Sequence, residues 1–197
     1  MLTQVEQNQW LLKADVLRIF STCFTYPDAD KIHAVQQLTQ ELHHSHINHP
    51  VIAPLLQFFI TLLNQQQLAE EYSRLFIQGG IPLSETAYHP SIDTYSELSA
   101  YYEAFGVQPV SGDAPDTLSY ELEFLAVLCL KVALASNKDQ QTVAHQAYAQ
   151  FIHYHLLPLV EKLHQKLENT FAESQYTQLT DFLKKFLQQE NQTFNMN

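Results

Sequence analysis

Four carboxylates at the front of an apolar stretch are the residues of this chain best suited to chemistry. They are Asp113, Asp116, Glu121 and Glu123, within the segment 113–125. Between Leu75 and Leu130 the sequence holds eight acidic residues and no Lys or Arg. Because a surface of one sign attracts partners of the opposite sign, this segment predicts a site for a cationic ligand.

Helix capping is the alternative explanation for two of these acids. Asp113 or Asp116 would cap a helix beginning here, and acids suit the positive end of the helix dipole. Capping does not explain Glu121 and Glu123, which stand among apolar residues. A glutamate in that setting lies at the rim of a groove or has a buried partner. In helical register, Asp116, Tyr120 and Glu123 share one face.

Helices are the elements that must position these acids. The chain has only 4 Gly, too few for the turns of an all-β protein of 197 residues. Apolar residues recur at helical spacing, which predicts an all-α fold, one domain over residues 1–197 with eight or nine helices and almost no strand. The predicted helices cover approximately residues 7–25, 29–45, 51–65, 67–77, 91–105, 113–135, 139–155, 158–171 and 174–190.

Breakers and caps mark the predicted boundaries. Residues 78–89 form the longest predicted loop, and a loop of that length in a helical protein often has a function. Asp28 and Ser91 are placed as N-caps, and Pro158 is placed in the first turn of its helix. The polar tail after Gln188 is expected to fray.

Composition excludes several classes of partner. The formal net charge is −11, which argues against nucleic acid and against anionic membrane surfaces. The N-terminus lacks the features of a signal peptide, and no apolar run approaches the ~20 residues of a membrane span. Cys23 and Cys129 lie far apart in apolar helical patterns, which predicts buried free thiols in a reducing cytoplasm.

Histidine spacing raises two metal-site alternatives. One is the cluster that precedes Pro50, where a solvated helix end accounts for the residues better than a zinc motif does. The other is a di-iron bundle, which would use two Glu-x-x-His pairs. The second pair lies beside an apolar stripe, on the polar side of its predicted helix. The residues concerned are His43, His44, His46 and His49 in the cluster, and Glu41 with His44 and Glu161 with His164 in the pairs.

Enzyme motifs are missing from the sequence. There is no Gly-x-Ser-x-Gly elbow, and Gly79-Gly80 is not followed by the Lys and Ser or Thr of a phosphate loop. The expectation is therefore a protein that is not an enzyme and has no metal site or tightly bound cofactor.

Two motif blocks in this chain resemble the TorD/DmsD/NarJ family of redox-enzyme maturation chaperones. The first block runs from Glu71-Tyr-x-x-Leu-Phe76 through Gly79-Gly80 and Pro82 to Glu85-Thr-Ala-Tyr88. The second is Pro115-Asp-Thr-Leu-x-x-Glu-Leu-Glu-Phe124. The chain departs from the family pattern at Thr117, where His is usual, and in a loop that lacks the usual double Pro.

The resemblance implies a cytoplasmic, all-α, TorD-like chaperone without catalytic activity. Such proteins bind the twin-arginine signal peptide of a molybdenum-cofactor oxidoreductase precursor and delay its export until the cofactor is inserted. They occur as monomers or domain-swapped homodimers, and weak guanine-nucleotide binding is implied for some. An accessory role on the folded enzyme is the alternative. The residues implied to contact the peptide are Tyr72, Phe76, Pro82, Glu85, Tyr88, Asp116, Thr117, Glu121 and Glu123.

Overall fold

The computed structural model describes residues 2–44, 52–62, 65–90, 93–108 and 114–195, and these residues are predominantly helical. No β-strand occurs among them; Ser84 and Thr117 form an isolated bridge. The predicted all-α fold is therefore confirmed. The α-helices are α1 (Gln4–Cys23), α2 (Ala29–His44), α3 (Ile52–Leu62), α4 (Gln65–Tyr72), α5 (Thr94–Ala104), α6 (Leu118–Ala133), α7 (Lys138–Phe151), α8 (Leu157–Phe171) and α9 (Gln175–Asn195).

Helix α6 lies at the centre of the core. It packs against α1 on one side and α7 on another, while α8 packs against α9. The predicted core stripe of α6 is fully buried, as is Phe124, whose ring contacts the ring of Phe151 in α7 at a centroid distance of 4.9 Å. No helix in the described ranges has both the length and the apolar character needed to cross a bilayer. The stripe comprises Leu118, Leu122, Leu125, Cys129 and Val132.

The predicted break between helices at 155 and 158 is wrong. Helix α7 continues through a π-helical segment, Ile152–Leu156, into α8. Pro158 supplies a physical reason, because it has no N–H to donate and its ring crowds the carbonyl four residues earlier. A wider π turn at that point accommodates both effects.

The prediction that the chain frays after Gln188 is also wrong, since α9 extends to Asn195. Glu190 holds this end in place. Its carboxylate accepts hydrogen bonds from Lys13 Nζ of α1 at 2.7 Å and from the Tyr148 hydroxyl of α7 at 3.0 Å. A buried acid with two such partners joins three helices at the C-terminal end of the fold.

Several predicted boundaries shift by a few residues. Asp28 is confirmed as a cap, since its carboxylate accepts from the Lys31 backbone N–H at 2.9 Å. Helix α6 begins at Leu118, with Thr117 rather than an acid at the N-cap position. The predicted caps Asp113 and Ser91 lie outside the described residues.

Candidate functional site

The two motif blocks meet at the start of α6. The Leu118 backbone N–H donates to the Leu83 carbonyl at 2.7 Å, and the Glu85 N–H donates to the Asp116 carbonyl at 2.8 Å. These bonds flank the Ser84–Thr117 bridge. The loop after α4 is therefore fixed to the N-terminus of α6, which brings Pro82, Glu85 and Tyr88 beside the acids of the second block.

Gly79 makes the entry to this loop feasible. Helix α4 continues as a π-helix, Ser73–Gln78, which Gly79 closes with an N–H bond to the Arg74 carbonyl at 2.8 Å. A Cβ on Gly79 would lie 2.7 Å from the carbonyl oxygens of Arg74 and Leu75. Gly80 follows with a φ of +62°, which side chains disfavour. The Gly-Gly pair is thus required by the backbone.

Asp116 is buried and does not cap α6. One carboxylate oxygen accepts from the Thr86 hydroxyl at 2.5 Å, and the other accepts from the Tyr95 hydroxyl at 3.0 Å. Asp116 therefore ties the loop and α5 to the start of α6. The capping explanation for this residue is wrong.

Glu85 is also buried, and its partner is a histidine from the π-helical segment. His155 Nδ1 lies 3.2 Å from both carboxylate oxygens of Glu85. The wide turn of the segment places His155 inward, where its ring packs against Phe151 and Tyr101. The imidazole therefore provides Glu85 with a buried polar partner from a different helix.

Glu121 is fully buried, and within the described part of the chain neither of its oxygens has a hydrogen-bond partner when the carboxyl is ionised. Burial raises the pKa of Glu121 well above its ordinary value of 4.5, and the charges of Glu85 and Asp116 raise it further. When Glu121 carries a proton it can donate to Glu85, and this bond also favours the neutral form. Glu85, Asp116 and Glu121 are called the carboxyl cluster below.

Tyrosines enclose the carboxyl cluster. Tyr102 is buried and donates to the Pro115 carbonyl at 2.6 Å, and Tyr88 donates to the Pro82 carbonyl at 3.0 Å. Burial raises the pKa of Tyr88 to about 12, so it remains a neutral donor. Thr117, at the family's His position, is half-buried and donates to the Ala114 carbonyl at 3.1 Å.

Exposed acids lie outside the cluster. Glu97 and Glu103 of α5 and Glu123 of α6 are exposed. The helical register that groups Asp116 with Glu123 does not hold, because Asp116 precedes the helix and is buried. Glu97, Glu103 and Glu123 are called the exposed acids below, and they can meet a ligand without any change in the fold.

Tyr72 and Phe76 belong to a separate aromatic contact. Their rings lie 5.0 Å apart, and the ring of Phe76 lies 5.0 Å from that of Tyr176 in α9. Glu71 of the same motif accepts from the Ser174 hydroxyl and the Gln175 backbone N–H at the start of α9. This part of the first block therefore attaches α4 to α9.

The residues of the metal alternatives are dispersed. Glu161 is exposed and accepts from Gln188 at 2.9 Å. The predicted polar-side position of His164 is wrong, because this residue is buried and its Nδ1 lies 3.1 Å from the Thr180 hydroxyl. Among the residues that the structure describes, no three potential ligands gather at one point. His46 and His49 of the histidine cluster lie outside those residues.

His155, Tyr95 and Thr86 are site residues that the sequence did not predict. His155 stands between apolar Ile152 and Leu156, which is a weak indication of an inward position. Tyr95 and Thr86 carry no spacing signal, because their partner Asp116 is distant in the sequence. Only the folded chain brings these hydroxyls to the carboxylate.

Comparison with known proteins supplies a family. The model of the family described as nitrate reductase delta subunit matches residues 45–165, more than half of the chain and both motif blocks. No curated protein matches the chain. The chain therefore belongs to the nitrate reductase delta subunit family, the NarJ- and TorD-like chaperones that assist the maturation of molybdenum-containing redox enzymes.

Proposed function

We propose that this chaperone binds the twin-arginine signal peptide of a molybdenum-cofactor oxidoreductase precursor. It acts in the cytoplasm, without catalysis, and holds the precursor back from export until the cofactor is in place. The observation that carries the proposal is the charge pattern beside the motif junction. Exposed Glu97, Glu103 and Glu123 lie in a stretch that contains no Lys or Arg between Leu75 and Leu130.

Two guanidinium groups are a suitable complement to such a surface. Arginine makes forked, charge-assisted hydrogen bonds with carboxylates, which a lysine ammonium cannot reproduce. The exposed acids can supply these contacts directly. The carboxyl cluster is buried, so its members act in this conformation by holding loop and helix together.

Calorimetric titration with a twin-arginine peptide tests the proposal. We expect a Kd in the ~µM range or tighter, corresponding to about −8 kcal/mol. Affinity should fall as salt rises, because exposed charges are screened. A matched peptide with two lysines should bind several-fold more weakly. Equal affinity for the two peptides, or no binding of either, would refute the proposal, and binding only to the mature enzyme would favour an accessory role.

A matched pair of variants locates the contact. Glu123→Gln should weaken binding roughly two- to fivefold, the effect of one exposed ion pair. Glu173→Gln removes an exposed acid after α8, outside both motif blocks, and should leave the affinity unchanged. An equal effect of the two changes would mean that net charge alone drives binding.

A further inference from the structure

A groove runs along α7 on the side facing α5 and α6. Between α5 and α7 it forms a cavity of about 790 Å³, and between α6 and α7 a second cavity of about 660 Å³. Phe105 and Val143 line both cavities, so the two adjoin each other along α7. From Asp139 to His155 the groove follows some sixteen residues, or about 24 Å at 1.5 Å per residue. It is called the α7 groove.

The walls of the α7 groove are apolar and exposed. Leu134, Val143 and Tyr154 are 64%, 57% and 65% exposed, although each is a large apolar or aromatic side chain. The small side chains of Ala100 and Ala147 also line the α5–α7 cavity. An exposed group of apolar side chains with polar residues at its edges is typical of a binding site for a partner.

The charges of the groove are unequal at its two ends. Glu97 lies at the end near Tyr154, and no Lys or Arg is found among the described residues that line that cavity. At the other end, Lys131 and Asp139 line the wall together and offset each other. The groove therefore has an acidic end and a neutral end, which complements a ligand that is cationic at one end and apolar along its length.

We propose that the α7 groove holds the apolar segment of the client's leader peptide, with the arginine pair at the Glu97 end and the apolar segment running towards Leu134. This inference rests on the proposed function and adds the location and direction of the peptide. A helix of about sixteen residues fits the length of the groove, and a helical peptide laid in an apolar groove is a common mode of recognition.

His155 connects this groove to the motif junction. Its ring lines the α5–α7 cavity, and its Nδ1 contacts Glu85 at 3.2 Å. The carboxyl cluster thus supports one wall of the groove without touching the peptide. Substitutions in the cluster would alter binding by moving His155, and we therefore assign the cluster a positioning role.

Val143 provides the sharpest test of the groove. Val143→Asn removes an apolar contact at its centre without adding charge, and Leu134→Asn does so at the neutral end. We expect each change to weaken the twin-arginine peptide by about fivefold to tenfold. Ile60→Asn is the matched control, because Ile60 is 47% exposed on α3 and lines neither cavity, and its change should leave affinity intact. Far-UV circular dichroism checks that all three variants are folded.

Photo-crosslinking tests the direction. A crosslinker placed on the leader peptide next to its arginine pair should label the chaperone in α5 or near Tyr154. A crosslinker placed at the far end of the leader's apolar segment should label the chaperone in the region Leu134–Asp139. The reversed pattern would overturn the assigned direction.

The outcomes separate this inference from the proposed function. If the peptide binds with arginine preference but Val143→Asn and Leu134→Asn leave the affinity unchanged, the groove assignment is wrong and the proposed function stands. If no leader peptide binds the wild-type protein, the proposed function fails first. If the groove variants change the oligomeric state and not peptide affinity, the groove is an interface between copies of the chain and the inference is overturned.

Discussion

Replacing Glu121 by Gln should stabilise the protein increasingly as the pH rises. Glu121 is fully buried, and its pKa is raised by burial and by the charges of Glu85 and Asp116. Above the ordinary pKa of 4.5 the unfolded chain loses this proton while the folded chain keeps it. Since the folded state then binds more protons, the free energy of unfolding falls with rising pH.

The magnitude follows from the linkage of one proton. Each pH unit between the ordinary and the raised pKa costs about 1.4 kcal/mol of stability, and Gln at this position removes that cost. For a chain of 197 residues, this corresponds to roughly 3–6 °C in Tm per pH unit. A Gln amide retains the shape of the acid and a donor towards Glu85. At pH 4 the two proteins should therefore be nearly equally stable.

Urea unfolding followed by circular dichroism, at pH steps from 4 to 8, measures this difference. Burial lowers the pKa of His145 and of His164. Their contributions to the free energy of unfolding therefore increase with pH up to the ordinary pKa of 6.5. Both the wild-type protein and the Glu121→Gln variant keep these histidines. The difference between their free energies of unfolding therefore reports the effect of Glu121. Glu123→Gln, an exposed change two residues away, should leave the pH slope unaltered. A Glu121→Gln variant less stable by a constant amount at every pH would refute the reasoning.

Three further outcomes follow from the described contacts. Glu190→Gln should lower the free energy of unfolding by about 2 kcal/mol, because it leaves Lys13 without its buried partner. Urea unfolding measures this loss, and an unchanged free energy of unfolding would show that the pair does not hold α9. Gly79→Ala should lower the free energy of unfolding by about 2 kcal/mol or more, since the new Cβ would lie 2.7 Å from two backbone oxygens. Gly106→Ala would place its Cβ within 4 Å of no other atom of the described residues, so its free energy of unfolding should fall only by the cost of a side chain at a φ of +69°. Cys129 is fully buried with a raised pKa, so thiol reagents should label it only as fast as the protein unfolds, and rapid native labelling would contradict its burial.

Periodicity was sufficient to predict the fold class. The helix positions and the core stripe of α6 follow from apolar residues at helical spacing, and the structure confirms both. The break at Pro158 was wrong because a proline ends a helix only if the backbone cannot widen around it. The prediction that the C-terminus frays was wrong because one polar residue of the tail, Glu190, is held by hydrogen bonds from α1 and α7. Such partners are distant in the sequence, so the polar composition of the tail did not indicate them.

The site was predictable only in part. Motif spacing identified the loop and the start of α6, and the structure joins them through backbone hydrogen bonds. Apolar neighbours did not distinguish buried Glu121 from exposed Glu123, although helical spacing does: Glu121 lies three residues after Leu118 and four before Leu125, beside the core stripe, and Glu123 does not. His155 was missed because its inward position depends on the π turn.

The π-helical segment Ile152–Leu156 lets the helix from Lys138 to Phe171 contain one residue more than a regular α-helix of the same register would. If all of these residues formed a regular α-helix, every side chain after the segment would turn by about 100° relative to α7, and Leu159 and Leu163 would leave the core. A single-residue deletion that tightened the segment into a regular helix would keep those leucines in the core, but it would remove the wide turn that places His155 against Glu85. The wide turn therefore keeps α7 and α8 in register with one core, and an insertion in this segment would misalign the two.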